Sequence, residues 1–472
     1  MNIESTDFAF IQLYNSTLLL NSSFISTVVI SLFTALLYYH KKQKRNLIVN
    51  MDKVSIDKTL VQMYGTTRPT WTLKNKIVLT LLKKVLAVPQ TGADVVAAKK
   101  KMAKGLGINI NFMPKGVVLE TINVKRLEEV NERVGLKYSG EIKADWIEVQ
   151  PRKKTKDETI VLYLHGGGYV MGSRHTHRNI TGKISKLFQA SVLVPDYGLA
   201  PEEPFPIGIY DAVSSYFYLL EQYRPEQIFV MGDSAGGGLS LGMMLWLRDH
   251  PKYPMPGGVI GLSPYVDLYS THPSFILNRP FDYLTALIGN EFTERDKKLT
   301  KERNFMYCEN NEDAHHHYAS PIFYRHKKDD FEALPPILIQ YGDSELLRDE
   351  CITLYSKTFP TAKVRLEGYE DQIHVFQMLP FNSLSGVAMT QVLDFITEVK
   401  NLKNLNKLHE FKRTSVEFLN GGSKKVLNNP YSIVENGNKV IEELRAKNLL
   451  IHFDKIRKSL PDDVFIGKPF LE

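Results

Sequence analysis

Between residues 140 and 400, short apolar runs alternate with longer stretches in which apolar positions recur every three or four residues. Ile160–Leu164, Val192–Val194, Ile228–Met231, Val259–Leu262, Ile337–Tyr341 and Val364–Leu366 are the short runs, and they read as strands buried on both faces. The stretch Ile207–Tyr223 and another after Gly238 read as helices. This alternation predicts an α/β domain with a mostly parallel central sheet flanked by helices. Residues 268–319 carry few strand signals and read as an inserted lid. Residues 46–139 read as a helical linker or cap, with Trp71, Leu73, Ile77, Val78, Leu81, Leu82, Val85 and Leu86 at helical spacing. Such a helix suits either packing over the α/β domain or lying in a membrane interface. Residues 401–472 read as a helical, basic extension with a turn at Asn420-Gly421-Gly422.

The N-terminus has a different pattern. Phe8 to Tyr39 contains no formal charge, and its apolar end Leu18–Tyr39 is 22 residues long, enough for a helix through about 30 Å of hydrocarbon. Lys41, Lys42, Lys44 and Arg45 then stop the run. A cleaved secretory signal would need basic residues ahead of the apolar run, where only Glu4 and Asp7 stand. Residues 1–45 are therefore expected to be an uncleaved single-pass membrane anchor, and the charge rule puts the rest of the chain on the cytosolic side.

Composition adds exclusions. With 43% hydrophobic and 24% charged residues the chain can bury a full core. Two cysteines, Cys308 and Cys351, exclude a disulfide scaffold and a cysteine-built metal site. The net charge of +7 sits at the ends, with +2 in residues 1–45 and +4 in 401–472, leaving +1 for the whole middle. A nearly neutral domain is a poor binder of nucleic acid, so a lipid surface is the expected anionic partner.

Gly232-Asp233-Ser234-Ala235-Gly236 follows one strand run and precedes a helical segment, the context in which G-x-S-x-G presents a nucleophilic serine on a tight turn. His165-Gly166-Gly167-Gly168 directly follows another strand, where side-chain-free residues let backbone N–H groups approach a developing oxyanion. A phosphate loop does not fit, because no G-K-[ST] follows. His315-His316-His317 reads as a solvated run, since consecutive residues of regular structure cannot all face one ion.

These two motifs occur in order with Pro195-Asp196-Tyr197-Gly198-Leu199-Ala200-Pro201-Glu202, Ser263-Pro264-Tyr265-Val266-Asp267-Leu268 and Leu334-Pro335-Pro336-Ile337-Leu338-Ile339. Over residues 140–400 the chain resembles the hormone-sensitive-lipase-like branch of the α/β-hydrolases, and with its N-terminal run it resembles the membrane-anchored arylacetamide deacetylases and fungal steryl acetyl hydrolases. The resemblance implies an α/β-hydrolase fold, a serine esterase active on apolar esters without metal or organic cofactor, and residence in the endoplasmic reticulum membrane. It implies Ser234 as nucleophile and His374 as base. Aligning Gly342-Asp343-Ser344-Glu345-Leu346-Leu347-Arg348-Asp349 on the usual Gly-x-x-Asp-Pro-Leu-x-Asp loop puts Glu345 at the acid, with Asp343 the alternative and Asp349 a helix-cap residue. The oxyanion donors would be Ala235 and two of Gly166, Gly167 and Gly168. Against the enzyme stands a catalytically inactive small-molecule binding protein or a membrane tether; His374, which the branch's receptor members lack, favours the enzyme.

Overall fold

The computed structural model describes residues 61, 67–86, 113–127, 140–151, 155, 157–270, 272–288, 307–308, 311–325, 333–379, 382–419 and 423–446. The expected anchor over Leu18–Tyr39 and the Asn420–Gly422 turn lie outside them. No helix among the described residues is long and apolar enough to cross a membrane.

Ten strands among these residues form one sheet: β1 (Val117–Lys125), β2 (Glu141–Val149), β3 (Ile160–Leu164), β4 (Ser191–Pro195), β5 (Ile228–Asp233), β6 (Gly258–Leu262), β7 (Ile337–Gly342), β8 (Val364–Tyr369), β9 (Thr414–Phe418) and β10 (Lys424–Val426). Their order is β1-β2-β4-β3-β5-β6-β7-β8-β9-β10. From β4 through β9 every pairing is parallel, while β1, β2 and β10 run antiparallel to their neighbours. The six apolar runs are the six central strands. Two stretches read as helical differ: Val117–Lys125 is a strand, and the extension after residue 400 contributes two more at the far edge. β1 is mostly exposed or half-buried and β10 is fully exposed, so neither has the continuous apolar run that marks a strand covered on both faces, while the largely buried β9 is broken by Thr414, Ser415 and Glu417.

The longer helices are α1 (Leu73–Leu86), α2 (Arg174–Phe188), α3 (Ile207–Leu220), α4 (Ala235–Asp249), α5 (Arg348–Thr353), α6 (Ser383–Asn404) and α7 (Tyr431–Ala446). Strand residues alternate between two cores. Ile160, Leu162 and Leu164 of β3 pack with Val213 and Tyr216 of α3 and Leu239 and Met243 of α4. Val161 and Tyr163 face the other way, toward Ile180 and Ile184 of α2 and Val392 and Phe395 of α6. Buried on both sides, the strands carry the loops at their C-terminal ends on a fixed base, the place where open α/β sheets build sites. In the inserted region, the short helix Ser274–Leu277 packs Ile276 against Ile441 and Leu444 of α7. Helix α7 thus packs on the start of the 268–319 segment.

A buried carboxylate fixes α2 to the sheet. Asp145 on β2 is fully buried and accepts from Arg174 Nε at 3.0 Å, Arg178 Nε at 2.7 Å and Thr121 Oγ1 at 3.1 Å. Removing it leaves two largely buried guanidinium groups without that partner, which costs about 3–5 kcal/mol. Asp145→Ala is therefore expected to lower the unfolding free energy by that amount in a denaturant titration. Asp157→Ala, which loses an exposed pairing with Arg224, should change it by less than about 1 kcal/mol.

Candidate active site

Ser234 stands on the turn between β5 and α4 with φ +52° and ψ −122°, a region that costs a residue with a side chain about 1–3 kcal/mol. The turn is held from both sides. Ser234 N donates to the Leu262 carbonyl at 2.9 Å, while its own carbonyl accepts from Gly238 N at 3.0 Å and Tyr265 N at 2.9 Å. A side chain at Gly236 would put a Cβ 2.0 Å from the Leu164 carbonyl oxygen, so α4 can pass this close to β3 only with glycine there.

His374 lies in the turn after β8, is 2% exposed, and has Nε2 2.9 Å from Ser234 Oγ. Val375, next to it, takes φ +47° and donates its N–H to Ser263 Oγ at 3.1 Å, which pins the turn against the loop after β6. On the far side of the ring, Nδ1 lies 3.5 Å from Glu345 Oε2. Glu345 is fully buried, and neither of its carboxylate oxygens has a hydrogen bond among the described residues. Burial favours neutral imidazole, but Glu345, with Asp282 and Asp233 beyond it, outweighs that and raises His374 above the ordinary histidine range. A contact of this kind tightens toward a hydrogen bond when positive charge develops on the ring.

The structure thus brings Ser234, His374 and Glu345 together in line. It does not bring Asp343, whose side chain is 28% exposed and lies 3.5 Å from Arg348 Nη1. Asp349 is no helix cap: it sits inside the first turn of α5 and accepts from Ser274 N and Arg348 Nε, each at 2.8 Å.

Asp233, beside the serine, organises the glycine loop. Its Oδ1 accepts from Tyr163 OH at 2.8 Å and Gly166 N at 3.1 Å and lies 3.3 Å from His177 Nε2. Burial would raise this carboxyl, but His177 and the Tyr163 hydroxyl hold it below the usual carboxylate range. The Gly166 N–H is therefore occupied. Those of Gly167, Gly168 and Ala235 have no acceptor among the described residues. Gly167 has φ +134° and a Cβ there would lie 2.0 Å from the Met171 carbonyl oxygen, so the loop closes only without a side chain. His165 stacks on Tyr197 with ring centroids 4.4 Å apart, and burial pushes its imidazole down to about 3, so it stays neutral.

Two residues of the lid belong to the site without a sequence signal. Asp282 Oδ2 accepts from Leu346 N at 2.8 Å, and Asn278 Nδ2 donates to the carbonyls of Asp343 and Glu345 at 3.1 and 2.8 Å. Together they brace the acid loop from outside the sheet. Burial pushes the Asp282 carboxyl up to about 6, opposed by the neighbouring His374. Single polar residues in an aperiodic segment leave nothing for motif or periodicity to detect.

Of the triple-histidine run, His315 Nδ1 meets Tyr269 OH at 3.0 Å and His317 Nε2 meets Asp249 at 3.0 Å, so the rings serve different partners. The metal-binding atoms of buried Asp267, His272 and Glu350 lie within 4.8 Å of one another. Backbone donors already engage these carboxylates, with Val266 N on Glu350 at 2.7 Å and Tyr269 N on Asp267 at 3.0 Å, and the cluster ties the loop after β6 to α5.

Comparison with known proteins gives a consistent match. A family profile described as alpha/beta hydrolase fold matches residues 161–378. An acetyl-hydrolase of Streptomyces hygroscopicus is 32% identical over 239 residues, 50% of this chain and 73% of that protein. An esterase of Acinetobacter venetianus is 32% identical over 246 residues, 51% of this chain and 75% of its own. The versiconal hemiacetal acetate esterase of Aspergillus parasiticus is 29% identical over 50% of this chain and 72% of its own. Among solved structures, EstE5 soaked with p-nitrophenyl butyrate is 30% identical with a TM-score of 0.57, covering 70% of this chain and all of EstE5. An esterase of the bacterial hormone-sensitive lipase family is 27% identical with a TM-score of 0.56, covering 70% of this chain and 99% of that structure.

The surroundings of His374 predict its titration. Its imidazolium should persist above the free-histidine value of about 6.5, followed by NMR of the ring protons. Glu345→Gln removes the main attraction and leaves burial in force, so the midpoint should move down. An unshifted midpoint in the variant would mean that Glu345 does not face the ring.

Proposed function

Because this chain belongs to the hormone-sensitive-lipase-like α/β-hydrolases, the fold-3 family, and is a carboxylic-ester hydrolase, we propose that it cleaves apolar esters through Ser234, His374 and Glu345. The approach of His374 Nε2 to Ser234 Oγ at 2.9 Å carries this reading. His374 takes the hydroxyl proton as Ser234 Oγ attacks the ester carbonyl, and Glu345 stabilises the imidazolium and holds its tautomer. The tetrahedral oxyanion is met by the N–H groups of Gly167, Gly168 and Ala235, while Gly166 serves Asp233 instead. The imidazolium then protonates the leaving alcohol. Water, deprotonated by His374, attacks the acyl-enzyme and releases the acid and Ser234. The elevated His374 places the rising limb of the pH–rate profile above the ordinary histidine range, since the ring must be neutral to act as base. Acetyl esters are the first to test, in keeping with the names of two relatives.

Ser234→Ala should fold normally, lose hydrolysis and escape labelling by a fluorophosphonate; equal labelling of variant and wild type would remove Ser234 from the nucleophile's role. Glu345→Gln should cost up to about 10⁴ in kcat, and Asp343→Asn little. The reverse ranking would hand the acid's role to Asp343.

The same reading includes a single-pass anchor at Leu18–Tyr39 in the endoplasmic reticulum membrane, supported by the charge-free run and the basic stop after it. The full chain should resist carbonate extraction from microsomes. An epitope after Glu472 should be digested by protease added to sealed vesicles, as the charge rule requires. Protection of the epitope would put the domain in the lumen, and carbonate release would dismiss the anchor.

A further inference from the structure

The stretch just ahead of α1 grips both loops that carry the partners of Ser234. Arg68 Nε donates to Ser344 Oγ at 2.8 Å, one residue before Glu345. Its Nη2 donates to Asn278 Oδ1 at 3.3 Å, and the guanidinium lies 4.0 Å over the Phe281 ring. Thr70 donates through N and Oγ1 to Asp371 Oδ2 at 3.1 and 2.8 Å, and Trp71 Nε1 donates to the Asp371 carbonyl at 2.6 Å. Asp371, three residues before His374, has φ +55° and is buried. Under these bonds Trp71 and Leu79 pack on Phe281 and on Ile373, the neighbour of His374. The contacts span about 210 to 300 residues of chain, so no local structure could supply them.

The loops also touch one another, through Ser344 N to the Gln372 carbonyl at 2.8 Å and Asp343 N to the Tyr369 carbonyl at 2.9 Å. Those bonds lie at the strand ends. The segment 68–71 instead holds the Ser344 side chain and the Asp371 carboxylate. We propose that residues 68–71 are a positioning clasp, which fixes the acid loop against the histidine loop and so sets turnover rather than substrate affinity. The clasp rests on Ser234, His374 and Glu345 acting together as the triad.

A clasp and a merely structural segment differ in what their loss does to His374. The charged and titratable groups facing that ring are Glu345, Asp282 and Asp233, with the Tyr283 ring centroid 6.0 Å away. Loosening the acid loop weakens the pull of Glu345 and lowers the histidine. Losing the Arg68 charge alone would act in the opposite sense, by removing a positive neighbour. Thr70→Val removes a donor and no charge.

The test uses the full chain, p-nitrophenyl acetate, and active sites counted by fluorophosphonate labelling. Thr70→Val and Arg68→Met, both at half-buried positions, should lower kcat per labelled site by about 10- to 100-fold, the cost of misplacing a reacting group by about 1 Å. KM should hold, and in Thr70→Val, which leaves every charge in place, the rising limb of the pH–rate profile should move to lower pH. Arg68→Lys, which keeps the charge and a donor, should recover part of the rate. Unchanged kcat per site and an unmoved limb in both variants would overturn the clasp, as would a failure of both to melt cooperatively, which would make the segment a determinant of the fold. A wild type that takes no label would overturn the Ser234 reading itself, and the clasp with it.

Discussion

The site depends on one buried carboxylate. Asp233 ends the strand that presents Ser234, and it binds Tyr163 on the neighbouring strand, the backbone of Gly166 and His177 on α2. A charge so fully removed from water is tolerable only with donors on all sides. Meeting that demand brings β3, β5, the glycine loop and α2 to a common point. The distance between the Ser234 turn and the Gly167–Gly168 backbone is thereby fixed, and the strained backbone at Ser234 is borne by a framework that cannot relax around it.

Much of this is legible in the chain. Four of the six central strands announce themselves as unbroken apolar runs because they are buried on both faces, as in Ile160–Leu164, while Gln340 in β7 and Arg365 in β8 interrupt theirs. Ser234 and the glycines stand out because tight turns admit few residue types, and Glu345 is preferred to Asp343 through the resemblance of its loop to the family's Gly-x-x-Asp-Pro-Leu-x-Asp pattern. The outer strands escape notice for the converse reason. β1 is exposed at most of its positions, and its register with β2 is set by pairing rather than by its own apolar pattern.

The lid and the N-terminal cap are the least legible, and for one physical cause. Asn278, Asp282, Arg68 and Thr70 act through a few directed hydrogen bonds to residues far along the chain. Such bonds have no period and no fixed spacing. Asp349 shows the same limit, since an acidic residue in a first helical turn looks like a cap whether it serves its own helix or, as here, the N–H of Ser274.

The last strand of the sheet has a consequence for how copies of this protein meet. Among the described residues β10 is the last strand of the sheet, with Lys424, Lys425 and Val426 all exposed. Unpaired edge strands recruit other chains into continuous sheets. Here a second copy presenting the same edge would bring ammonium groups against ammonium groups, and the three-residue length gives little backbone to pair. Molecules built this way repel one another at the seam along which they would otherwise polymerise.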